Sequence, residues 1–292
     1  MSSKTKVYDG LKQNIHGFYE VVQKPTQEEL NRFYATKYYQ DEKYGSYAKS
    51  YTDEEKKYIT NLALRFEDLV PDITEKTVLD VCCGEGFQMK VFKDKGYAVR
   101  GLDFSSDGIC SHNPSLLENI TQGDVFANLT NITEQFGCII LKHALEHVLD
   151  PEVLLTELRN KLTPDGVVIV VVPNDFSTIQ EHCLENGMIE YAKWISPPEH
   201  LSYFSFDSLA KFATHLGYNV RDYSATFPID FDLLSEHTNY INDSTVGKHS
   251  HLKRTRTDNL LCDISIHKTN LYYKRLCEMG LGRDIIMVLS KV

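Results

Sequence analysis

The chain has 292 residues, of which 42% are hydrophobic and 25% charged, a composition that excludes a fibrous or wholly disordered protein. Acidic residues outnumber basic ones by 41 to 31, and the net charge of −10 argues against a nucleic acid partner because it repels phosphate backbones. At this length we expect one large core with appendages.

Neither a disulfide framework nor a membrane segment is indicated. The seven cysteines have no regular spacing and include no Cys-x-x-Cys pair for zinc, so we expect reduced thiols and a cytoplasmic protein. The N-terminus is polar, and no later stretch approaches the roughly 18 apolar residues that span a bilayer. We therefore expect no membrane association.

From about Thr77 onward, short apolar runs alternate with helical patterns, which is typical of repeated βα units around a mostly parallel sheet. The first strand is predicted at 77–81, followed by a helix at 87–95 that ends before Gly96. The next three strands are predicted at 98–103, 120–124 and 136–141.

The middle of the chain contains the clearest strand pattern. Asp150 and Pro151 predict the start of a helix whose leucine stripe extends to Leu162 and which is closed by a turn at 163–166. The continuously apolar, β-branched run 167–172 then predicts a central strand that is covered by helices on both faces.

The last elements complete the pattern. Ser205 is predicted to cap a helix that ends at Gly217, and two final strands are predicted at 219–226 and 284–289. Together these elements predict an α/β fold with a doubly wound, mostly parallel sheet of seven strands. Residues 1–60 and 228–283 do not follow this alternation of strands and helices, and inserted segments of this kind commonly carry substrate contacts.

The turn after the first predicted strand carries the first sign of a ligand site. Asp80 is followed by Val81-Cys82-Cys83-Gly84-Glu85-Gly86 and then by a helix, which is the context that a nucleotide-binding loop requires. Gly84 and Gly86 allow a ligand to approach the backbone closely. A tight turn of purely structural origin is the alternative.

Two acidic residues follow the next strands. Asp103 lies at the end of the second predicted strand, where a carboxylate can accept hydrogen bonds from both ribose hydroxyls. Asp124 follows Gly123 at the end of the third, where a carboxylate can accept from the adenine amino group. A helix cap and a simple turn are the respective alternatives.

A dinucleotide oxidoreductase is the rival interpretation of a glycine-rich turn with a distal acid. Its pyrophosphate needs Gly-x-Gly-x-x-Gly spacing at a helix N-terminus, and this turn lacks that spacing.

Taken together, residues 30–292 resemble the class I S-adenosylmethionine-dependent methyltransferases, in particular the bacterial branch that modifies sugars and other small metabolites. The turn at 80–86 is similar to the acidic-x-Gly-x-Gly-x-Gly motif of the family, Asp103 to its ribose-binding acid, and Asp124 to its adenine-side acid. Further similar segments are 145–151, 162–166 and 198–205.

The resemblance implies S-adenosylmethionine as cofactor, S-adenosylhomocysteine as product, and an N-terminal helical lid over the cofactor. The cofactor-binding residues that it implies are Asp80, Cys82, Gly84, Gly86, Asp103, Phe104, Asp124, Val125, His143, Glu146 and, in the lid, Tyr47.

One residue departs from the family pattern. The family usually has glycine where Cys82 stands, so we expect this side chain to crowd the methionine part of the cofactor without preventing its binding. A non-catalytic module that binds the cofactor therefore stays an alternative.

Catalysis needs a proton acceptor if the substrate is an alcohol, and histidine is the usual side chain for that transfer. His200, in a polar and aromatic loop after the fifth strand, is the predicted base, with a structural role or the use of His143 or His147 as alternatives. No compact triplet of metal ligands is evident, so no metal is predicted.

Three aromatic residues, Tyr191, Trp194 and Tyr203, are predicted to line the substrate site, with core packing as the alternative. The connection 228–283 resembles the substrate-covering insertion of glycan-pathway methyltransferases. That likeness implies O-methylation of a nucleotide-linked sugar or a related capsule or lipopolysaccharide precursor. N- or C-methylation of another small metabolite stays open.

The basic run His249–Arg256 would then meet a phosphate of the substrate through residues such as Arg254, unless it is merely a solvated loop. The expected organisation is a lid at 1–60, a cofactor-binding core at 61–227 completed by a last strand at 284–292, and an insertion at 228–283.

Overall fold

The computed structural model describes residues 8–33 and 50–292. The strands are β1 (Leu11–Gln13), β2 (Tyr19–Val21), β3 (Thr77–Val81), β4 (Ala98–Asp103), β5 (Ile120–Gln122), β6 (Phe136–Lys142), β7 (Leu162–Pro173), β8 (Ser202–Tyr203), β9 (Tyr218–Ala225) and β10 (Asp284–Lys291). The α-helices are α1 (Gln27–Phe33), α2 (Asp53–Leu69), α3 (Phe87–Asp94), α4 (Asp107–His112), α5 (Val125–Asn131), α6 (Pro151–Asn160), α7 (Thr178–Glu185), α8 (Phe206–His215), α9 (Gly247–Ile264) and α10 (Ile266–Glu278).

Seven strands form the central sheet in the order β5-β4-β3-β6-β7-β10-β9. The first five are parallel to one another, whereas β10 is antiparallel to both of its neighbours. The predicted seven-stranded, mostly parallel sheet is confirmed. The chain order reverses between β3 and β6, and ligands bind outside the carboxyl ends of the strands at such a switch point.

The middle of the sheet is fully covered by helices. Every side chain of the β7 run 167–172 is 0% exposed, as predicted for a central strand. One face packs against apolar residues of α5, α6 and α8, and the other packs against α2 and α3. The sheet is therefore a rigid platform whose strand ends hold the site.

The junction of α6 and β7 differs from the prediction. The helix ends at Asn160, and Leu162 pairs with Phe136 of β6 instead of extending the helical stripe. The next pair joins Val167 to Cys138, so β7 advances five residues while β6 advances two. Residues 163–166, predicted as a turn after the helix, therefore form a bulge within the strand.

Other boundaries shift by one or two residues. Strand β5 stops at Gln122 because Asp124 instead caps α5, its side chain accepting a hydrogen bond from the backbone N–H of Ala127. Helix α8 begins as predicted, with Ser205 in a capping box.

The N-terminal segment is not purely helical. In its described part, β1 and β2 form an antiparallel hairpin that continues into β8. Helix α2 starts after the capping residue Thr52 and crosses the boundary that was expected between residues 60 and 61. The apolar face of α2 packs on the sheet, so this helix joins the N-terminal segment to the core.

The connection at 228–283 is mostly helical, and β10 begins at Asp284 as expected. Side-chain hydrogen bonds attach α9 and α10 to α2, from Asn61 to Asn259 at 2.9 Å and from Arg65 to Asn270 at 3.0 Å. The basic run 249–256 lies in α9 and not in a loop. Within the described residues, no helix combines the length and apolar character needed to cross a bilayer.

Candidate cofactor cleft and acceptor side

A cleft of about 510 Å³ opens at the carboxyl ends of β3, β4 and β6, next to the switch point. Most of the predicted cofactor residues line it, namely Asp80, Cys82, Gly84, Asp103, Phe104, Asp124, Val125 and His143. Gly86 and Glu146 are described but are not among the lining residues, and Tyr47 lies outside the described residues.

The turn after β3 is built from left-handed backbone. Cys82, Gly84 and Gly86 have φ angles of 61°, 54° and 75°. A Cβ on Gly86 would lie 2.8 Å from Cδ1 of Ile109, so both conformation and space demand glycine there. Cys82 adopts a conformation that costs most L-residues about 1 kcal/mol or more. This backbone strain gives a physical reason for the family's glycine at position 82.

Asp103 holds the neighbouring strand end in place. Its carboxylate accepts hydrogen bonds from the backbone N–H of Gly84 at 2.8 Å and of Ser105 at 3.1 Å. The carboxylate thus joins the turn after β3 to the turn after β4 and also lines the cleft. Phe104 beside it is half-exposed and offers a ring to the same cleft.

Asp124 both caps a helix and lines the cleft. One carboxylate oxygen, Oδ1, accepts a hydrogen bond from the N–H of Ala127 at 2.9 Å and caps α5. Asp124 and Val125 both line the cleft. The helix cap therefore does not exclude the predicted adenine contact, because a carboxylate offers several acceptor positions.

Asp80, which is buried, and Lys142, which is partly buried, both line the cleft. Burial raises the pKa of Asp80 to about 7, while Lys142 opposes and Asp103 reinforces that rise. Atom Oδ2 of Asp80 has no hydrogen-bond partner among the described residues. Lys142 was not predicted as a site residue, although a lysine directly after an apolar strand was the signal that could have identified it.

Beside the cleft lies a cluster of histidines around one buried carboxylate. Glu146 is 1% exposed, and its Oε1 lies 3.5 Å from Nδ1 of His143 and 3.7 Å from Nε2 of His147. Burial alone raises the pKa of Glu146, but the charges of His147 and His143 outweigh it and hold that pKa at about 2. Glu146 therefore stays a carboxylate that can stabilise a protonated histidine.

His147 reaches the cleft, whereas His200 does not. The two rings have their centroids 4.9 Å apart, and His147 is the one that lines the cleft. Burial and, to a smaller extent, the neighbouring His147 lower the pKa of His200 to about 4. His200 is thus neutral near pH 7, and its role as base stays a prediction.

A second buried acid lies on the far side of His200. Oδ2 of Asp175 is 4.0 Å from Nδ1 of His200, and Oδ1 of Asp175 accepts from Arg283 at 3.4 Å. Burial raises the pKa of Asp175 to about 7, and Arg283 opposes that rise. Neither residue was predicted, because each is separated from His200 by a long stretch of chain.

One group of side chains in the described part of the chain has metal-ligand geometry. The donor atoms of Glu146, His147 and His200 all lie within 4.8 Å of one another. Two imidazoles and one carboxylate suit several divalent transition metals. The sequence predicted no metal, and that prediction stays open.

None of the predicted substrate residues lines the described cleft. Trp194 is 7% exposed within an apolar cluster, and Tyr203 is 1% exposed with its hydroxyl donating to the backbone carbonyl of His200. Both positions are explained by core packing, the alternative stated above. Tyr191 is 58% exposed.

The basic run is largely engaged by acids of the same chain. Lys253 pairs with Asp232, and Arg256 pairs with Glu54 of α2 at 3.0 Å. The guanidinium of Arg254 stands over the ring of Tyr58 at 5.4 Å. None of these basic residues lines the described cleft.

Comparison with known proteins identifies relatives of the same kind. The methyltransferase domain family matches residues 52–223, more than half of the chain. The ubiquinone biosynthesis O-methyltransferase of Nitrosomonas europaea is 27% identical over 154 residues. The match covers 46% of this chain and 63% of that protein. The protein of the same name from Glaesserella parasuis is 25% identical over 185 residues. That match covers 57% of this chain and 77% of that protein. The Nitrosomonas relative is therefore matched over less than two thirds of its own length.

Among solved structures, a SAM-dependent methyltransferase from Archaeoglobus fulgidus superposes with a TM-score of 0.52 at 17% identity. The superposition covers 81% of this chain and 94% of that protein. At this identity the likeness concerns the fold alone, and it agrees with the predicted fold class.

Proposed function

Because this chain belongs to the methyltransferase domain family and is a class I enzyme that uses S-adenosylmethionine, we propose that it methylates a hydroxyl oxygen of a small, soluble molecule. The observation that carries this proposal is the histidine cluster around Glu146, which adjoins the cofactor cleft and can take up the proton of a hydroxyl.

The residues around the cleft fit the chemistry of the cofactor. The carboxylate of Asp103 suits the ribose hydroxyls, that of Asp124 suits the adenine amino group, and the turn at 82–86 suits close backbone approach. When bound, the cofactor supplies a methyl group on a positively charged sulfur. The protein's main contribution is then to hold the acceptor oxygen in line with that methyl group.

His147 is the side chain best placed to receive the proton of the acceptor. Its Nδ1 lies 2.6 Å from the backbone carbonyl of Glu199, and a carbonyl only accepts, so Nδ1 carries the hydrogen of the neutral ring. Nε2 then holds a lone pair that can take the hydroxyl proton as the oxygen–carbon bond forms and the carbon–sulfur bond breaks. The carboxylate of Glu146 stabilises the resulting imidazolium.

His200 takes part indirectly in this proposal. Its ring packs edge-on against that of His147, and its own Nδ1 faces Asp175. The pair thus offers two imidazoles beside one carboxylate, with His147 nearer the cleft. His200 as the base itself is the competing assignment.

Oxygen is favoured as the acceptor atom by the names of the two ubiquinone biosynthesis O-methyltransferases. A nucleotide-linked sugar rests on the resemblance alone, because the basic run expected to meet its phosphate is engaged by Asp232 and Glu54. Methylation of nitrogen or carbon, and binding without catalysis, are the remaining alternatives.

The test combines binding with turnover. We expect S-adenosylmethionine and S-adenosylhomocysteine to bind in calorimetry, and methyl transfer to appear with at least one member of a panel of phenols, catechols, free sugars and nucleotide sugars. Binding without turnover across the whole panel would contradict the proposal and favour a non-catalytic module. The panel should be assayed with and without a chelator. Activity that is lost with the chelator and restored by Mn²⁺ or Zn²⁺ would replace the proton-accepting role of His147 by metal binding.

A matched variant tests the sugar nucleotide. Reversing the charges of Lys253, Arg254 and Arg256 together should leave the Michaelis constant of the acceptor within about twofold, since none of the three residues lines the described cleft. A much larger increase, confined to phosphate-bearing acceptors, would restore the nucleotide-linked sugar.

A further inference from the structure

We propose that Lys142 binds the carboxylate of the amino-acid part of the cofactor. This inference rests on the proposed function, because it assumes that S-adenosylmethionine occupies the cleft. It assigns a role to a side chain that neither the sequence pattern nor the likeness to relatives identifies.

The sheet register determines where Lys142 stands. Val81 pairs with Leu141, so Lys142, the last residue of β6, lies beside the start of the turn at Cys82. Side chains alternate along a strand, so Lys142 shares a face with Ile140, and Ile140 pairs with Asp80. The lysine and the aspartate are therefore neighbours on one face at the strand ends, and both line the cleft.

The charges around the cleft make this lysine stand out. Five acids line it, namely Asp80, Glu85, Asp103, Asp124 and Asp150. Among the described lining residues, Lys142 is the only lysine or arginine. A cofactor carboxylate that enters this region would be repelled by the ionised acids and attracted by Lys142. Such attraction is stronger beside buried protein than in bulk water.

Lys142 is also available for a ligand. Burial lowers the pKa of its ammonium group, and the charge of Asp80 opposes that change. No ion pair or hydrogen bond joins its ammonium group to any residue within 8–33 or 50–292, and Oδ2 of Asp80 likewise lacks a partner there. A zwitterionic amino acid would satisfy both, its carboxylate at Lys142 and its ammonium at Asp80.

A purely structural role is the main alternative, in which Lys142 only compensates the charge of Asp80. The two roles differ in how they respond to the ligand. A lysine that binds the carboxylate should matter only for ligands that have one, whereas a structural lysine should matter for every ligand in the cleft.

The experiment compares four ligands on Lys142→Met by calorimetry. S-adenosylmethionine and S-adenosylhomocysteine carry the carboxylate, whereas decarboxylated S-adenosylmethionine and 5′-methylthioadenosine lack it. We expect the substitution to weaken the first two at least about tenfold and to change the last two by less than about threefold. Lys142→Arg should recover part of the loss, because it keeps the positive charge.

Lys93→Met on the exposed side of α3 is the matched control and should change no affinity. Equal losses for all four ligands, or no loss for any, would overturn the role of Lys142 while leaving the cofactor assignment intact. Failure of the unmodified protein to bind S-adenosylmethionine and S-adenosylhomocysteine would instead overturn the proposed function, and this inference with it.

Discussion

The cofactor side and the acceptor side of the site are built in different ways. On the cofactor side, Asp80, the turn at 82–86 and Asp103 lie at the carboxyl ends of two neighbouring parallel strands. On the acceptor side, Glu146 and His147 follow β6, but His200 comes from a connection more than fifty residues away. Local chain geometry creates the first region, whereas packing between distant segments creates the second.

The pKa values of buried carboxylates shift in opposite directions in the two regions. Burial raises the pKa of Asp80 to about 7, with only Lys142 to oppose it. Glu146 is equally buried, yet the charges of His147 and His143 hold its pKa at about 2. The neighbours of a carboxylate therefore decide its charge in this molecule, and the acceptor side keeps a permanent negative charge next to its histidines.

The largest predicted effect separates turnover from binding on the acceptor side. His147→Asn keeps a donor for the carbonyl of Glu199 but removes the basic ring nitrogen, so we expect the turnover number to fall about 100-fold or more. The affinity for S-adenosylhomocysteine should change little. His200→Asn should have a smaller effect, and the reverse order of the two losses would make His200 the base.

A second prediction concerns binding on the cofactor side. Asp103→Asn removes the charge that accepts hydrogen bonds from Gly84 and that suits the ribose, so the affinity for S-adenosylhomocysteine should fall about 10- to 100-fold. Calorimetry measures this loss, and the exposed Asp107→Asn on α4 is the control. Unchanged affinity would mean that the ribose lies elsewhere. It would then contradict the claim that local chain geometry builds the cofactor side.

The pKa of Asp80 predicts how stability depends on pH. Between about pH 4 and 7 this group is ionised in the unfolded chain but protonated in the folded one, so its contribution to the free energy of unfolding falls as pH rises. Above about pH 7 both states are ionised and the effect levels off. Each unit of difference in pKa is worth about 1.4 kcal/mol, so we expect a fall of at least about 1 kcal/mol.

Urea unfolding of the unmodified protein and of Asp80→Asn at several pH values measures this effect as the difference between the two curves. The asparagine variant should lack that part of the decline. Parallel curves from pH 4 to 8 would show that Asp80 has an ordinary pKa.

The smallest effect is expected at Cys82. Cys82→Gly removes the cost of left-handed backbone but makes the unfolded chain more flexible, so the net gain in the free energy of unfolding should be about 0.5–1 kcal/mol. Cys82→Ala keeps the strain and removes only the sulfur, so it should not gain stability. Chemical denaturation compares the three proteins, and a gain for alanine equal to that for glycine would assign the effect to the thiol.

Most of the sheet and of the cofactor side could be predicted from the sequence. Periodic apolar runs identified the strands that became β3, β4, β6, β7, β9 and β10, because burial on a sheet leaves a local pattern along the chain. The glycine turn and Asp103 were found for the same reason, since the turn directly follows β3 and Asp103 is the last residue of β4.

Local rules failed where tertiary contacts compete with them. The turn-forming residues 163–166 lie in a bulge of β7 because the pairing of Leu162 with Phe136 starts the strand before them. The charged run 249–256 looked like a loop, but Lys253 and Arg256 pair with acids from other elements and the run is helical.

Three relations depend on the tertiary structure. His147 lines the cleft whereas His200 does not. Lys142 faces Asp80, and Asp175 lies behind His200. These relations join residues from different connections at one edge of the sheet. Their distances depend on strand order and register, which hydrogen bonds between strands set and which no single stretch of sequence encodes.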